Sequence, residues 1–243
     1  MRAFLYGAVL QWKLDIRSKS LLVTCYLVPL IFFALMGGIF TSVMPDMKDT
    51  LIPAMIVMGV SMGAFIGLPP SLAETYGSDI KKIYAANGVP LCFGWAAMYL
   101  SAFIHLFLMC LIILLTAPMA FDAALPSDLP LFFAALSIYI AVSLSVGSVL
   151  GLTIKNQSKL TMAAQLLFLP SIMLSGIMFP IGLLPGPLIT AGKIFPAFWG
   201  YRLMLDNGFL PQNLWYLSLV FLITVSFCVI LLKGLRRPPQ RPF

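Results

Sequence analysis

Residues Gly186 to Ile194, GPLITAGKI, carry the glycines and lysine of a phosphate cradle. A P-loop needs four residues between its two glycines, and a Ser or Thr after the lysine to hold magnesium. Here five residues separate Gly186 from Gly192, and Ile194 follows Lys193. The segment therefore reads as a proline-broken apolar stretch without a nucleotide site. His105, the only histidine, falls in the middle of an apolar run. An ionisable group at membrane depth suggests a proton relay. No Asp, Glu, Lys or Arg lies deep in any apolar run to partner it, so the expectation is a neutral imidazole bonded to a Ser or a backbone carbonyl. Cys25, Cys92, Cys110 and Cys228 lie in apolar runs without metal-ligand spacing and read as packing residues, so no metal is expected. Catalysis needs convergent polar groups, and His105 alone does not supply them.

The elements that position these residues follow from composition. Of 243 residues 61% are hydrophobic and 9% charged, where soluble domains carry roughly 25% charge. This is the composition of an integral membrane protein. A spanning helix takes about 20 apolar residues, and runs free of charge predict six spans: 21–43, 51–72, 91–117, 129–153, 160–180 and 214–232. The whole chain reads as one all-α transmembrane domain, 1–243, with residues 1–20 ahead of the first span. No small-residue cleavage site follows the first apolar run, so a retained N-terminus is expected rather than a signal peptide.

Cations set the orientation. With a cytoplasmic N-terminus, the inner segments hold Arg2, Lys13, Arg17, Lys19, Lys81, Lys82, Lys155, Lys159, Lys233, Arg236, Arg237 and Arg241, twelve of the fifteen. Only Lys48, Lys193 and Arg202 fall outside. Both termini are then cytoplasmic, and the net charge of +7 marks the inner face of the cell membrane instead of a nucleic-acid site. The uncharged run Leu160 to Gly192 is 33 residues long, about 50 Å as a helix, against a hydrocarbon core of about 30 Å. A seventh crossing would put the basic C-terminus outside. Residues 181–201 are therefore expected to enter and leave on the outer side as a re-entrant hairpin. Pro180, Pro185, Gly186, Pro187 and Pro196 break its helix. Backbone broken in this way is tolerated at membrane depth only where it is buried in protein or lines a cavity. The alternative is an outer loop resting at the headgroups on Phe195, Phe198, Trp199 and Tyr201.

Between the second and third spans, residues 73–90 place Ile80, Ile83 and Tyr84 at i, i+3, i+4, with Asp79, Lys81 and Lys82 facing elsewhere. That spacing predicts a short amphipathic helix. Asn87-Gly88 and Pro90 would stop it, and Glu74 would sit near its start, where the dipole favours a carboxylate. Such a helix can dock a partner or lie on the membrane surface with none. Leu5, Val9, Trp12 and Ile16 make one stripe of an N-terminal helix expected along the inner leaflet, although Leu10 and Leu14 fall off it. Gly59, Gly63 and Gly67 on the second span, and Gly147 and Gly151 on the fourth, form GxxxG steps that permit close helix contact. Met55, Met58, Met62 and Phe65 recur on the second span, and Phe168, Ser171, Ser175 and Met178 on the fifth. A soft Met and Phe surface with a few hydroxyls suits an amphipathic substrate path. Ordinary helix packing produces the same stripes.

Six spans, a basic N-terminal segment, a first inner loop with Glu74 and Gly77, and the string SGIMFPIGLLPGPLITAGKIFPAFWGYRLM from Ser175 to Met204 together resemble the permease subunits of type-2 ATP-binding-cassette (ABC) exporters. The resemblance covers nearly the whole chain, and Ser175 to Pro180 is its most specific part. It implies a first inner loop that docks in a cleft of a cognate ATPase, with the coupling role on Glu74, Asp79, Lys81, Lys82, Ile83 and Tyr84. It also implies an outer re-entrant helical pair after the fifth span and two permeases, identical or homologous, around a central path. ATP and magnesium would be bound by a pair of ATPase subunits, with no cofactor in this chain. Within that class, the uncharged Met-rich interior suits a drug or antimicrobial peptide better than a lipid-linked glycan. A lone ion- or proton-coupled carrier would need membrane-embedded charges or an internal repeat, and the sequence shows neither.

Overall fold

The computed structural model of the chain describes residues 2–77, 90–205 and 208–235, and among these every regular element is helical. The N-terminal helix α1 (Arg2–Arg17) is followed by α2 (Lys19–Leu22), a π-helical turn (Val23–Leu27) and α3 (Val28–Ser42). After a 3-10 turn at Pro45–Thr50 come α4 (Leu51–Met62), a second π-helical turn (Gly63–Gly67) and α5 (Leu68–Gly77). Then follow α6 (Leu91–Phe121), α7 (Leu129–Thr153), α8 (Gln157–Met173), the short α9 (Gly186–Gly192) and α10 (Pro196–Met204), and α11 (Pro211–Leu235).

Among the described residues, five helical stretches are long and apolar enough to cross a membrane: Val23–Ser42, Met47–Gly77, Leu91–Phe121, Leu129–Thr153 and Pro211–Gly234. The fourth of these has the bounds expected from sequence because local chemistry fixes its start. The Asp128 side chain accepts a hydrogen bond from the Leu131 amide at 3.0 Å, an N-cap, and Pro130 sits in the first turn, where its missing N–H costs nothing.

The span expected at 160–180 differs. Its helix, α8, is capped by Asn156, which accepts from the Lys159 amide at 3.0 Å. It runs 17 residues, to Met173, about 25 Å at 1.5 Å per residue, at the short end of the roughly 17–25 residues of a spanning helix. Beyond it the backbone turns at Gly176, whose φ of +89° lies in the left-handed region open to glycine. The second span departs in the other direction, its helix continuing past Leu72 to Gly77.

That second span is the axis of the bundle. Of its apolar stretch 83% is buried, against 28% in the first span and 11% in the last. The outer spans instead turn Leu35, Leu115, Leu222 and Trp215 outward, as helices surrounded by lipid do. Small residues allow the close approach. A Cβ on Gly59 would lie 2.7 Å from Met109 Cε and 3.3 Å from Pro29 Cβ, and one on Gly67 would lie 3.2 Å from Cys25 Sγ. On the other flank, a Cβ on Gly151 would come within 2.7 Å of the Pro69 carbonyl oxygen. Both GxxxG sets therefore pack spans within this one chain.

Candidate functional site

Glu74 is exposed on the last turn of α5, at the end of the second span. The carboxylate is therefore on the helix that continues the second span, six residues past its start at Leu68, and not at that helix's start. Asp79, Lys81, Lys82, Ile83 and Tyr84 lie outside the described residues. At this end of the bundle the Tyr76 hydroxyl donates to the Leu91 carbonyl at 2.6 Å, which ties the foot of the second span to the head of the third.

Met55, Met58 and Phe65 are buried in the core, and Met62 is half-buried. On and after α8, Ser171 and Ser175 are fully buried, while Phe168 and Met178 pack against the core from partly buried positions. The opposite face of α8 exposes Met162, Leu166, Leu169 and Met173. Ser175 Oγ donates to the Ile172 carbonyl at 2.8 Å. Ser171 Oγ has no partner among the described residues. Deep between the second and fourth spans, Ser61 Oγ and Tyr139 Oη share a hydrogen bond of 2.6 Å, with both residues buried.

The prolines after α8 punctuate a run of short helical turns, with Pro180, Pro185 and Pro187 exposed and Pro196 buried. Pro180 precedes a 3-10 turn (Ile181–Leu183), Pro185 and Pro187 open α9 around Gly186, and the buried Pro196 opens α10. Gly192 faces the Leu174 carbonyl so closely that a Cβ would overlap it; this glycine of the lookalike phosphate loop serves packing. The turn between α9 and α10 is pinned from the last span. Trp199 Nε1 donates to the Lys193 carbonyl at 2.7 Å, the Tyr216 hydroxyl donates to the Ile194 carbonyl, and the Trp199 and Tyr216 rings stack 5.2 Å apart. Helix α10 buries Ala197, Phe198, Gly200, Tyr201, Leu203 and Met204, with Gly200 against the Tyr139 ring.

At the same end, Lys48 Nζ meets Asp122 Oδ2 at 2.7 Å. The hydrogen bond from Lys48, then its charge, hold the Asp122 carboxyl below its ordinary range. Asp122 adopts φ 51° and caps α6 with its amide. Beside this pair a cleft of about 360 Å³ opens between Asp49, Thr50, Pro53, Leu125, Met204 and Leu205.

Sequence reasoning missed a polar cluster around His105. Its Nδ1 is hydrogen-bonded to the Tyr26 hydroxyl at 2.8 Å, where a Ser or backbone carbonyl was expected. The Trp12 ring lies over it at 6.2 Å between centroids. One turn away, Ser101 Oγ donates to Asp15 Oδ2 at 2.5 Å, and Gln11 Nε2 donates to Asp15 Oδ1 at 2.9 Å. The acid of this cluster comes from the N-terminal helix and not from a span, and it bonds to Ser101, one turn from His105. The only available signal was Asp15 itself, a lone carboxylate four residues from Gln11 on a helix otherwise basic or apolar.

The sequence model of the family described as ABC-2 family transporter protein matches residues 41–233. No curated protein gives a significant match to the chain. The matched region covers all the spans after the first, the loop after the second, and the proline-rich segment before the last. The chain belongs to the ABC-2 family of transporter proteins, as a membrane component of an ABC transporter.

Proposed function

We propose that the chain is the membrane-spanning half of an ATP-driven exporter in the inner membrane, working as a pair of permeases, identical or homologous, with a cognate pair of ATPase subunits that bind ATP and magnesium. The observation that carries this reading is the second span. Helix α4, its π-helical turn and α5 follow one another without a break from Leu51 to Gly77, through the middle of the bundle and directly into residues 78–89. A push on that loop by a docked ATPase would travel along a buried rod to the Ser61–Tyr139 contact and to the far end. Ile83 and Tyr84 are the anchors we assign to the docked loop, Asp79, Lys81 and Lys82 its polar flanks, and Glu74 the link to the rod.

The distribution of cations supports cytoplasmic termini. Burial of Gly192, Pro196 and Gly200, with Pro185, Gly186 and Pro187 exposed, supports a hairpin whose second half closes the outer end, with Tyr139 beneath it. Met55, Met58, Met62, Phe65, Phe168, Ser171, Ser175 and Met178 are the path residues of this proposal. Most are covered here, so we take the arrangement as closed, with a path that opens when the second span shifts against α8. A drug, antimicrobial peptide or other amphipathic compound suits such a lining.

The test is reconstitution with a fluorescent amphipathic dye. The purified chain alone should hydrolyse no ATP, and dye export should require the ATPase with magnesium and ATP. Transport by the chain alone under a proton gradient would overturn the exporter reading in favour of a carrier.

A further inference from the structure

Ser101 and His105 lie one turn apart on α6, and Trp12 and Asp15 lie one turn apart on α1. Each pair faces the other. Ser101 Oγ donates to the Asp15 carboxyl, and Trp12 stacks on His105 with its ring plane inclined by 29°. The exposed residues of α1 include Val9, Leu10, Leu14 and Ile16 together with Lys13 and Arg17, so this helix turns apolar and basic side chains outward while its one carboxyl bonds to Ser101 of α6. A half-buried carboxyl one helical turn from a buried imidazole needs a reason, because the imidazole charged alone would be costly there.

We propose that Asp15 and His105 form one proton-binding site shared between the N-terminal helix and the third span. One proton on the pair leaves it neutral overall, whether held as carboxylic acid and imidazole or as carboxylate and imidazolium. Losing it strands a carboxylate, and adding a second strands an imidazolium. The pair titrates as a unit.

The surroundings favour that single proton. His105 is 2% exposed, and its Nε2 has no partner among the described residues. With the Tyr26 hydroxyl donating to Nδ1, Nε2 carries the hydrogen; a second proton on Nδ1 would turn that bond round, with Nδ1 donating to the Tyr26 oxygen. Other groups facing the site are Gln11 on α1, and Cys25 and Tyr26 from the π-helical turn of the first span. The second span brings Ser71 to the adjoining cleft and no ionisable group. Lys13 and Arg17 are exposed. The cleft beside Asp15 is about 10 Å³, room for about one water.

Burial raises the Asp15 carboxyl above its ordinary value, against smaller lowering effects of the Ser101 and Gln11 hydrogen bonds and the His105 charge. A raised carboxyl value means that docking of α1 is favoured with the proton bound. That contribution is lost as pH rises through the raised value.

The test uses the full chain in phospholipid vesicles, with Trp12 emission taken as the difference between the parent and Trp12→Phe, from about pH 4 to about pH 9, which brackets carboxyl and imidazole titration. Protonated imidazole at stacking distance quenches indole emission. The difference signal of the parent should titrate. His105→Gln should flatten it, and Asp15→Asn should move its midpoint down by at least about one pH unit, a tenfold loss of proton affinity. Asp15→Glu should keep the titration. A flat signal in the parent overturns the site whether or not the variants insert, and so does an unchanged midpoint in Asp15→Asn. The result is independent of any ATPase, so it separates failure of this site from failure of the exporter reading.

Discussion

Gly147 in the fourth span faces the Ala64 carbonyl oxygen in the second so closely that a Cβ there would overlap it. The obstacle is backbone and cannot rotate away, so Gly147→Ala must push two spans apart. We expect a loss of about 1–3 kcal/mol or more, in the range of overpacked cores, seen as a lower thermal midpoint of the purified chain in detergent. Gly38 has nothing within 4 Å of the same position, and Gly38→Ala should leave the midpoint unchanged or raise it slightly. Equal behaviour of the two variants would mean that the second and fourth spans do not pack as described.

Lys48 and Asp122 join the turn after the first span to the end of the third. A carbodiimide should convert this ion pair into an amide, giving one cross-linked peptide by mass spectrometry that is absent in Asp122→Asn. Because Lys48 holds the Asp122 carboxyl below its ordinary range, the ion pair is present above the ordinary carboxylate value and is lost as pH falls through the lowered one. The pair is exposed, so its removal should hardly change stability. Failure to cross-link near neutral pH would separate the two turns.

The spans themselves were legible as uncharged runs, and the fourth was legible to its ends because Asp128 and Pro130 announce a cap. The fifth was not. Hydropathy sums composition, and the run from Leu160 to Gly192 stays apolar through the turn at Gly176, so nothing in the sum marks where α8 stops. The place of Asp15 was not legible for a related reason. Helical spacing groups Leu5, Val9, Trp12 and Ile16 into a stripe, but spacing does not tell which face meets a neighbouring helix and which meets lipid. In a membrane an apolar face can point outward and a carboxyl inward, the reverse of a soluble helix. Glu74 was placed at a helix start because the loop's own pattern begins there, while the preceding span carries its helix five residues further.

Membrane orientation has a direct check. Single cysteines replacing Asp128 and Asn213 in a Cys-free chain should react with an impermeant thiol reagent from outside. Cysteines replacing Lys82 and Arg237 should react only after permeabilisation. Asn213 is largely buried beside Gly208, so slower labelling there than at Asp128 is expected. Outside labelling at position 237 would overturn the orientation and the hairpin together.

The hairpin predicts a local effect at Gly200, where a Cβ would run into the Tyr139 ring. Gly200→Val should displace α10 and open the end of the bundle. A cysteine replacing Ser61, below that ring, should then become reactive to small thiol reagents. An unreactive Ser61→Cys in the Gly200→Val background would show that α10 does not cover it.

The central claim is that a separate ATPase grips the loop that follows the second span. The measurement that tests it most directly is co-purification of ATP-hydrolysing activity with the tagged chain from its native membrane, for the parent, Ile83→Ala, and Asp122→Ala at the opposite end. Losing a buried apolar anchor should cost about 1–3 kcal/mol of contact, roughly a 5- to 150-fold weakening. The account predicts an ATPase bound to the parent and to Asp122→Ala and mostly lost from Ile83→Ala, with all three chains inserted equally. An ATPase retained undiminished by Ile83→Ala, or absent from the parent, would contradict it.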